Sequence, residues 1–145
     1  MRSAAHGQKR IVLISCAAGK SAHRTRAAEL YVSPLFRRQL AYARRLAPDA
    51  IFILSAKYGL VGLDEEIDPY EKTLKDMGAR EQRSWAQGVL ARLKEEANLL
   101  EDHFIFLAGD AYRKHLTPVL HHWEAPLERL TIGRQLQKLD QLLHE

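Results

Sequence analysis

Three short apolar runs organise the hydropathy pattern: residues 11–15 (IVLIS), 50–55 (AIFILS) and 103–108 (HFIFLA). Each is rich in β-branched or aromatic residues and flanked by polar positions, the pattern of a strand buried on both faces. Between them, apolar positions recur at helical spacing. Ser33-Pro34 supplies an N-cap followed by a proline at the first helical position, and Leu35, Phe36, Leu40, Ala43 and Leu46 share one face, predicting a helix over about 34–46. A second helix is predicted over 79–99, with Trp85, Val89, Leu93 and Ala97 on one side. Gly109-Asp110 should turn the chain into a helix over 111–121, which Pro118 would kink or end early. Residues 127–132 read as a last short strand and 133–143 as a closing helix with Leu136, Leu139, Leu142 and Leu143 facing inward.

The remaining segments, 16–26 and 56–70, are polar. The second holds Gly59, Gly62 and Pro69 together with Asp64, Glu65, Glu66 and Asp68, and polar connections of that length are more often functional than idle. The order β-α-β-loop-α-β-α-β-α predicts the α/β class: a single three-layer domain over residues 10–145, with a mostly parallel four-stranded sheet and helices on both faces. The 145 residues suit one hydrophobic core, and residues 1–9 are expected to form a short flexible tail.

Composition narrows the class. No apolar stretch is long enough to cross a bilayer, and residues 1–9 lack the apolar centre of a signal peptide, so a cytoplasmic location without a membrane partner is expected. The single cysteine, Cys16, excludes an internal disulfide. No Cys/His group has zinc spacing (the adjacent His121 and His122 would point apart on a helix), so neither metal nor other cofactor is expected. The net charge of +4 is uneven: residues 1–50 hold ten lysines and arginines against two acids. That excess suits a polyanionic partner, although Arg37, Arg38, Arg44 and Arg45 equally suit the solvated face of one helix.

In open α/β sheets, ligands bind beyond the carboxyl ends of the strands. The residues just after the apolar runs are therefore the candidates: Ser15, Cys16, Gly19 and Lys20; Ser55, Lys57, Tyr58 and Gly59; Gly109, Asp110 and Tyr112; Gly133, Arg134 and Gln135. Small residues, hydroxyls and cations suit a phosphate. Gly19-Lys20-Ser21 is not a P-loop, because the position five before Gly19 is Ile14, inside the first run. Cys16 is either a nucleophile or a small residue packed beneath its loop. Lys57 is either a partly desolvated amine, able to act as a base or form a Schiff base, or a charged anchor for phosphate. Tyr58 and Tyr70 can stack on a base or merely cover the core edge. Asp68, fixed ahead of Pro69-Tyr70 in an extended segment, could orient water or stabilise an oxocarbenium-like centre.

Several blocks resemble a known pattern: the run from Ile11 to Lys20, which is similar to an S-C-x-x-K signature but reads S-C-A-A-G-K here, Leu30-Tyr31-Val32-Ser33-Pro34-Leu35-Phe36, the ILSAKYGL block at residues 53–60, Asp68-Pro69-Tyr70 with Thr73, and Ile132-Gly133-Arg134-Gln135-Leu136-Gln137. Together they resemble a bacterial and phage family of small domains of unknown function. That family is more distantly similar to the peroxide-stress DNA-binding protein YaaA and to a domain of archaeosine synthase. One departure is Ala17-Ala18 in the loop after the cysteine, where such a family often has glycine or lysine. The resemblance implies nucleic-acid or nucleobase work, in repair, base modification or phage defence, and adds Tyr31 and Ser33 to the expected substrate-binding set.

The first reading is thus an enzyme acting on a nucleobase or its N-glycosidic bond, glycosylase-like, with Asp68, Lys57 and Tyr70 catalytic. Its partner would be nucleic acid, DNA before RNA, or a nucleotide. The alternatives are a non-catalytic DNA- or RNA-binding module and a hydrolase of free nucleotides or phosphosugars.

Overall fold

A computed structural model of the protein describes residues 8–15 and 20–145. The remaining positions, among them Cys16 and Gly19 and most of the expected tail, lie outside the described residues. Strands β1 (Arg10–Ser15), β3 (Ala50–Ser55), β6 (His103–Leu107) and β7 (His122–Glu124) run parallel, and β4 (Gly59–Gly62) returns antiparallel to β3. The sheet order is β4-β3-β1-β6-β7. From Ile11 to Ser15, β1 is buried throughout, which its unbroken apolar pattern required of a strand paired on both sides. A second ribbon joins β2 (Thr25–Arg26) to β5 (Glu66–Ile67), Thr25 opposite Ile67.

Helix α1 (Ala27–Leu30) follows β2, and α2 (Pro34–Arg45) begins where the sequence places it: the Ser33 hydroxyl accepts the Phe36 N–H at 3.1 Å. Helix α3 (Ala79–Glu96) buries Val89 and Leu93. It stops at Ala97, beside Asn98, whose N–H donates to the buried Asp102 carboxylate at 2.7 Å. The other Asp102 oxygen accepts the Lys9 N–H at 2.8 Å, fixing the approach to β1. Helix α5 (Ile132–Leu143) packs along α2. Arg38 pairs with Asp140 at 2.8 Å, and Arg45 donates to the carbonyls of Leu143 and Glu145. Two of the four arginines expected on a solvated face therefore tie helices together.

Three expectations are corrected. The sheet has five strands, not four, because residues 56–70 are not one long loop: Ala56, Lys57 and Tyr58 turn the chain back into β4. The turn closes at Gly59, whose φ of +78° favours glycine, and Leu60 and Val61 enter the core. Flanking glycines and a length of four residues hid that strand from a periodicity search. The helix expected over 111–121 is only α4 (Asp110–Arg113), followed by a 3-10 turn at Thr117–Val119. Pro118 has no N–H, and its ring would collide with the preceding helical turn. The last strand is His122–Glu124 rather than 127–132. As an exposed edge strand it lacks an apolar run, whereas Leu127 is buried in a turn that includes Arg129 at φ +66°. No helix among the described residues is long and apolar enough to cross a membrane.

Candidate functional site

The chain leaves β1 toward β3 on one side, and later leaves β6 toward β7 on the other, so the topological switch point lies between β1 and β6. A crevice at the carboxyl ends of strands is expected there. Hydrogen bonds and a ring contact tie three strand ends to one another. The Ser15 hydroxyl, ending β1, accepts the Gly109 N–H just beyond β6 at 3.3 Å. The Ser55 carbonyl, ending β3, accepts the Trp85 indole N–H at 2.8 Å, and the Trp85 ring meets Tyr112 edge-on at 5.7 Å between centroids.

A chain of three tyrosines lies across the same edge. The buried hydroxyls of Tyr31 and Tyr70 are 2.6 Å apart, and Tyr58 meets Tyr70 edge-on at 5.8 Å. Two cations lie over these rings: the Lys20 ammonium sits 4.5 Å from the Tyr70 ring centroid and 5.8 Å from that of Tyr31, and the Lys57 ammonium 5.2 Å from that of Tyr58. Lys20 is positioned by its bridge to Tyr31. Tyr58 is held at the turn by its N–H, which donates to the Ser55 hydroxyl at 3.0 Å. Tyr70 and Tyr31 are buried while Tyr58 and Lys57 are exposed, so the cluster presents an aromatic edge and an ammonium to solvent. Among the described residues no carboxylate lies within ion-pair distance of Lys57. A ring face attracts an ammonium without neutralising it, so charge remains to meet a phosphate.

Beside this cluster, a cleft of about 350 Å³ runs between the β3–β4 turn and α3, lined by Lys57, Tyr58, Gly59, Met77, Trp85 and Val89 among others. Lys72 and Glu81, paired at 2.9 Å, sit on its rim.

The expected residues divide. The contacts above link Lys20, Tyr31, Ser55, Lys57, Tyr58, Tyr70 and, through Trp85, Tyr112; the Tyr112 N–H donates to the Gly109 carbonyl at 3.0 Å, which brings in Gly109 and Ser15, and Gly59 lines the cleft. Ser33 caps α2. Asp68 lies two positions before Tyr70, its carboxylate held at 3.2 Å by Arg24 in a solvent-exposed pair. Arg134 is exposed in the first turn of α5, where its N–H donates to the Thr131 hydroxyl at 3.2 Å, and Gln135 donates to the Leu130 carbonyl at 3.0 Å. No contact joins Arg134 or Gln135 to the tyrosine chain among the described residues. Cys16 lies outside them. Sequence reasoning missed Trp85 and Arg24. Trp85 was legible as a helix-face residue, but not as the link between β3 and Tyr112. The Arg24–Asp68 pair depends on the β2–β5 ribbon, which carries no local signal.

Fold and site define an α/β domain with a polar, aromatic crevice at the carboxyl edge of a mostly parallel sheet. The chain belongs to a family of unknown function, DUF6884, whose model matches residues 11–141. No curated protein and no solved structure matches it.

Proposed function

We propose that the protein is an enzyme that binds a nucleotide unit at this edge and acts on the nucleobase or on its N-glycosidic bond. The observation that carries the reading is the pairing of two ammonium groups with linked tyrosine rings, Lys20 over Tyr70 and Lys57 over Tyr58, beside the β3–β4 turn. Lys20 and Lys57 would hold phosphate and the exposed Tyr58 would stack on the base. Asp68, steadied by Arg24, would orient water or stabilise positive charge on the departing sugar. For a duplex substrate the base must first leave the stack. The distant similarity to the DNA-binding protein YaaA and to a domain of archaeosine synthase, drawn from the sequence blocks, belongs to this reading. So does a three-layer arrangement with helices on both sheet faces.

The test measures base release from modified and damaged oligonucleotides, together with binding of nucleoside monophosphates. Base release abolished in the Lys57→Ala/Asp68→Asn double variant supports the assignment. Release that persists unchanged in that variant removes these residues from the chemistry. Binding without any release favours the alternative of a non-catalytic nucleic-acid module.

A further inference from the structure

A second concavity, of about 500 Å³, lies between α1 and α2. Tyr31, Phe36 and Leu40 line it, all three buried, while Arg37 and Arg44 reach it from α2. On its other wall, Arg26 pairs with Glu29 at 3.2 Å and with Asp64 at 3.5 Å. Both acids are thus already engaged by one arginine, and that partnership holds the Glu29 carboxyl below its usual range. Arg37 and Arg44 differ from their neighbours. Arg38 and Arg45 are committed to α5, whereas among the described residues Arg37 and Arg44 have no carboxylate within ion-pair distance. Among the described residues, the Arg37 guanidinium donates only to the Val32 carbonyl, at 3.4 Å. Seven positions apart on one helix, the two stand about 10 Å apart along its axis, so they meet two different anionic groups rather than one.

The groove adjoins the candidate site: both include Tyr31, a buried residue whose hydroxyl meets Tyr70 and whose ring lies under Lys20. We infer that this groove carries a single nucleic-acid strand into the site, with Arg37 and Arg44 on successive phosphates, so that the substrate is a polynucleotide rather than a free nucleotide. The inference rests on the nucleotide reading above and adds the polymer to it. A concavity of this volume has the scale of a ligand pocket, suited to one strand rather than a duplex. Arginine forks suit phosphate oxygens, and neutralising phosphates releases counterions, which makes such binding salt-dependent.

The experiment compares binding of a fluorescent single-stranded DNA 12-mer and of a nucleoside monophosphate, over about 50 to 200 mM salt. It uses the wild type, Arg37→Ala/Arg44→Ala, and the charge-matched control Arg80→Ala/Arg83→Ala on α3. Losing two phosphate contacts flattens the log–log salt slope by about 1.4, so over that salt range the groove variant should lose about sevenfold less affinity than the wild type. Mononucleotide binding should stay unchanged in it, and the control should follow the wild type. Oligonucleotide affinity and slope unaltered in the groove variant, or altered equally in the control, would overturn the groove assignment. Failure of the wild type to bind mononucleotide while Arg37 and Arg44 still govern oligonucleotide binding would overturn the nucleotide site and leave the groove standing.

Discussion

The hydroxyl of Tyr31, at the end of α1, lies 2.6 Å from the hydroxyl of Tyr70, 39 positions later in the chain. This contact joins the segment after β1 to the segment after β5, and both lysine-bearing parts of the candidate site are built upon it. Because the pair is buried, deleting either hydroxyl leaves a polar atom with one partner fewer in a low-dielectric setting. Tyr31→Phe and Tyr70→Phe should each destabilise by about 1–2 kcal/mol, and the double variant by less than their sum, with a coupling of about 0.5–1.5 kcal/mol. Urea unfolding of the four proteins gives the cycle, and strictly additive values would show that the hydroxyl contact has no energetic weight.

Two left-handed residues make opposite expectations. Gly59 adopts φ +78° where β3 turns into β4, while Ala47 adopts φ +48° just past the end of α2. An L side chain in that region costs about 1–2 kcal/mol. Gly59→Ala should therefore lower stability by about that amount; among the described residues the added methyl would meet only Val89, at an ordinary 3.8 Å, so backbone conformation rather than crowding is the cause. Ala47→Gly should raise stability by up to about 1 kcal/mol, the relief being partly offset by a freer unfolded chain. Thermal unfolding of both variants is sufficient. A stabilised Gly59→Ala protein would contradict the turn described here.

Glu65 gives a pH dependence. Partial burial alone would raise its carboxyl, but the bonds from Arg92, at 2.8 Å, and from the Gly62 N–H outweigh this and hold it below the usual range. A carboxyl lowered on folding stabilises the protein above the unfolded value of about 4.3 and loses that contribution as pH falls through the folded value. At pH 7 the wild type should exceed Glu65→Gln by no more than about 1 kcal/mol, since the pair is partly solvated. The gap should close below the ordinary glutamate range. A gap that stays constant from neutral to strongly acidic pH would exclude the charge as its origin.

Gln39 is buried on α2, and its carbonyl oxygen has no hydrogen-bond partner among the described residues. A buried acceptor of this kind costs about 1–3 kcal/mol of desolvation. Gln39→Met, similar in length and without polar atoms, should raise the unfolding midpoint. A midpoint lowered by the substitution would mean that the amide is satisfied in solution.

Much of the architecture was legible because local chemistry and burial agreed. The runs forming β1, β3 and β6 are apolar at their centres, where consecutive residues are buried and no solvent-facing position interrupts the pattern. Ser33-Pro34 marked the start of α2 through a cap that needs only adjacent residues. Elements whose signal is not local escaped: β4 is short and bounded by glycines, and β7 is an exposed edge strand.

Reading the residues after each strand put Lys57 and Tyr58 among the candidates, because strand ends are marked by hydropathy, whereas Tyr31 and Tyr70 follow none of the apolar runs directly. By itself, then, the sequence determined the α/β class, its principal strands and helices, and an inventory of hydroxyls, tyrosines and cations around one edge of the sheet. Only the tertiary structure decided which of them meet. Strand order brought Ser15 to Gly109, helix packing committed Arg38 and Arg45 to α5 while leaving Arg37 and Arg44 on a groove, and the β2–β5 ribbon set Asp68 against Arg24. The physical reason is range. Hydropathy and capping act over a few residues, whereas a bond between positions 31 and 70 exists only once the sheet has set their distance.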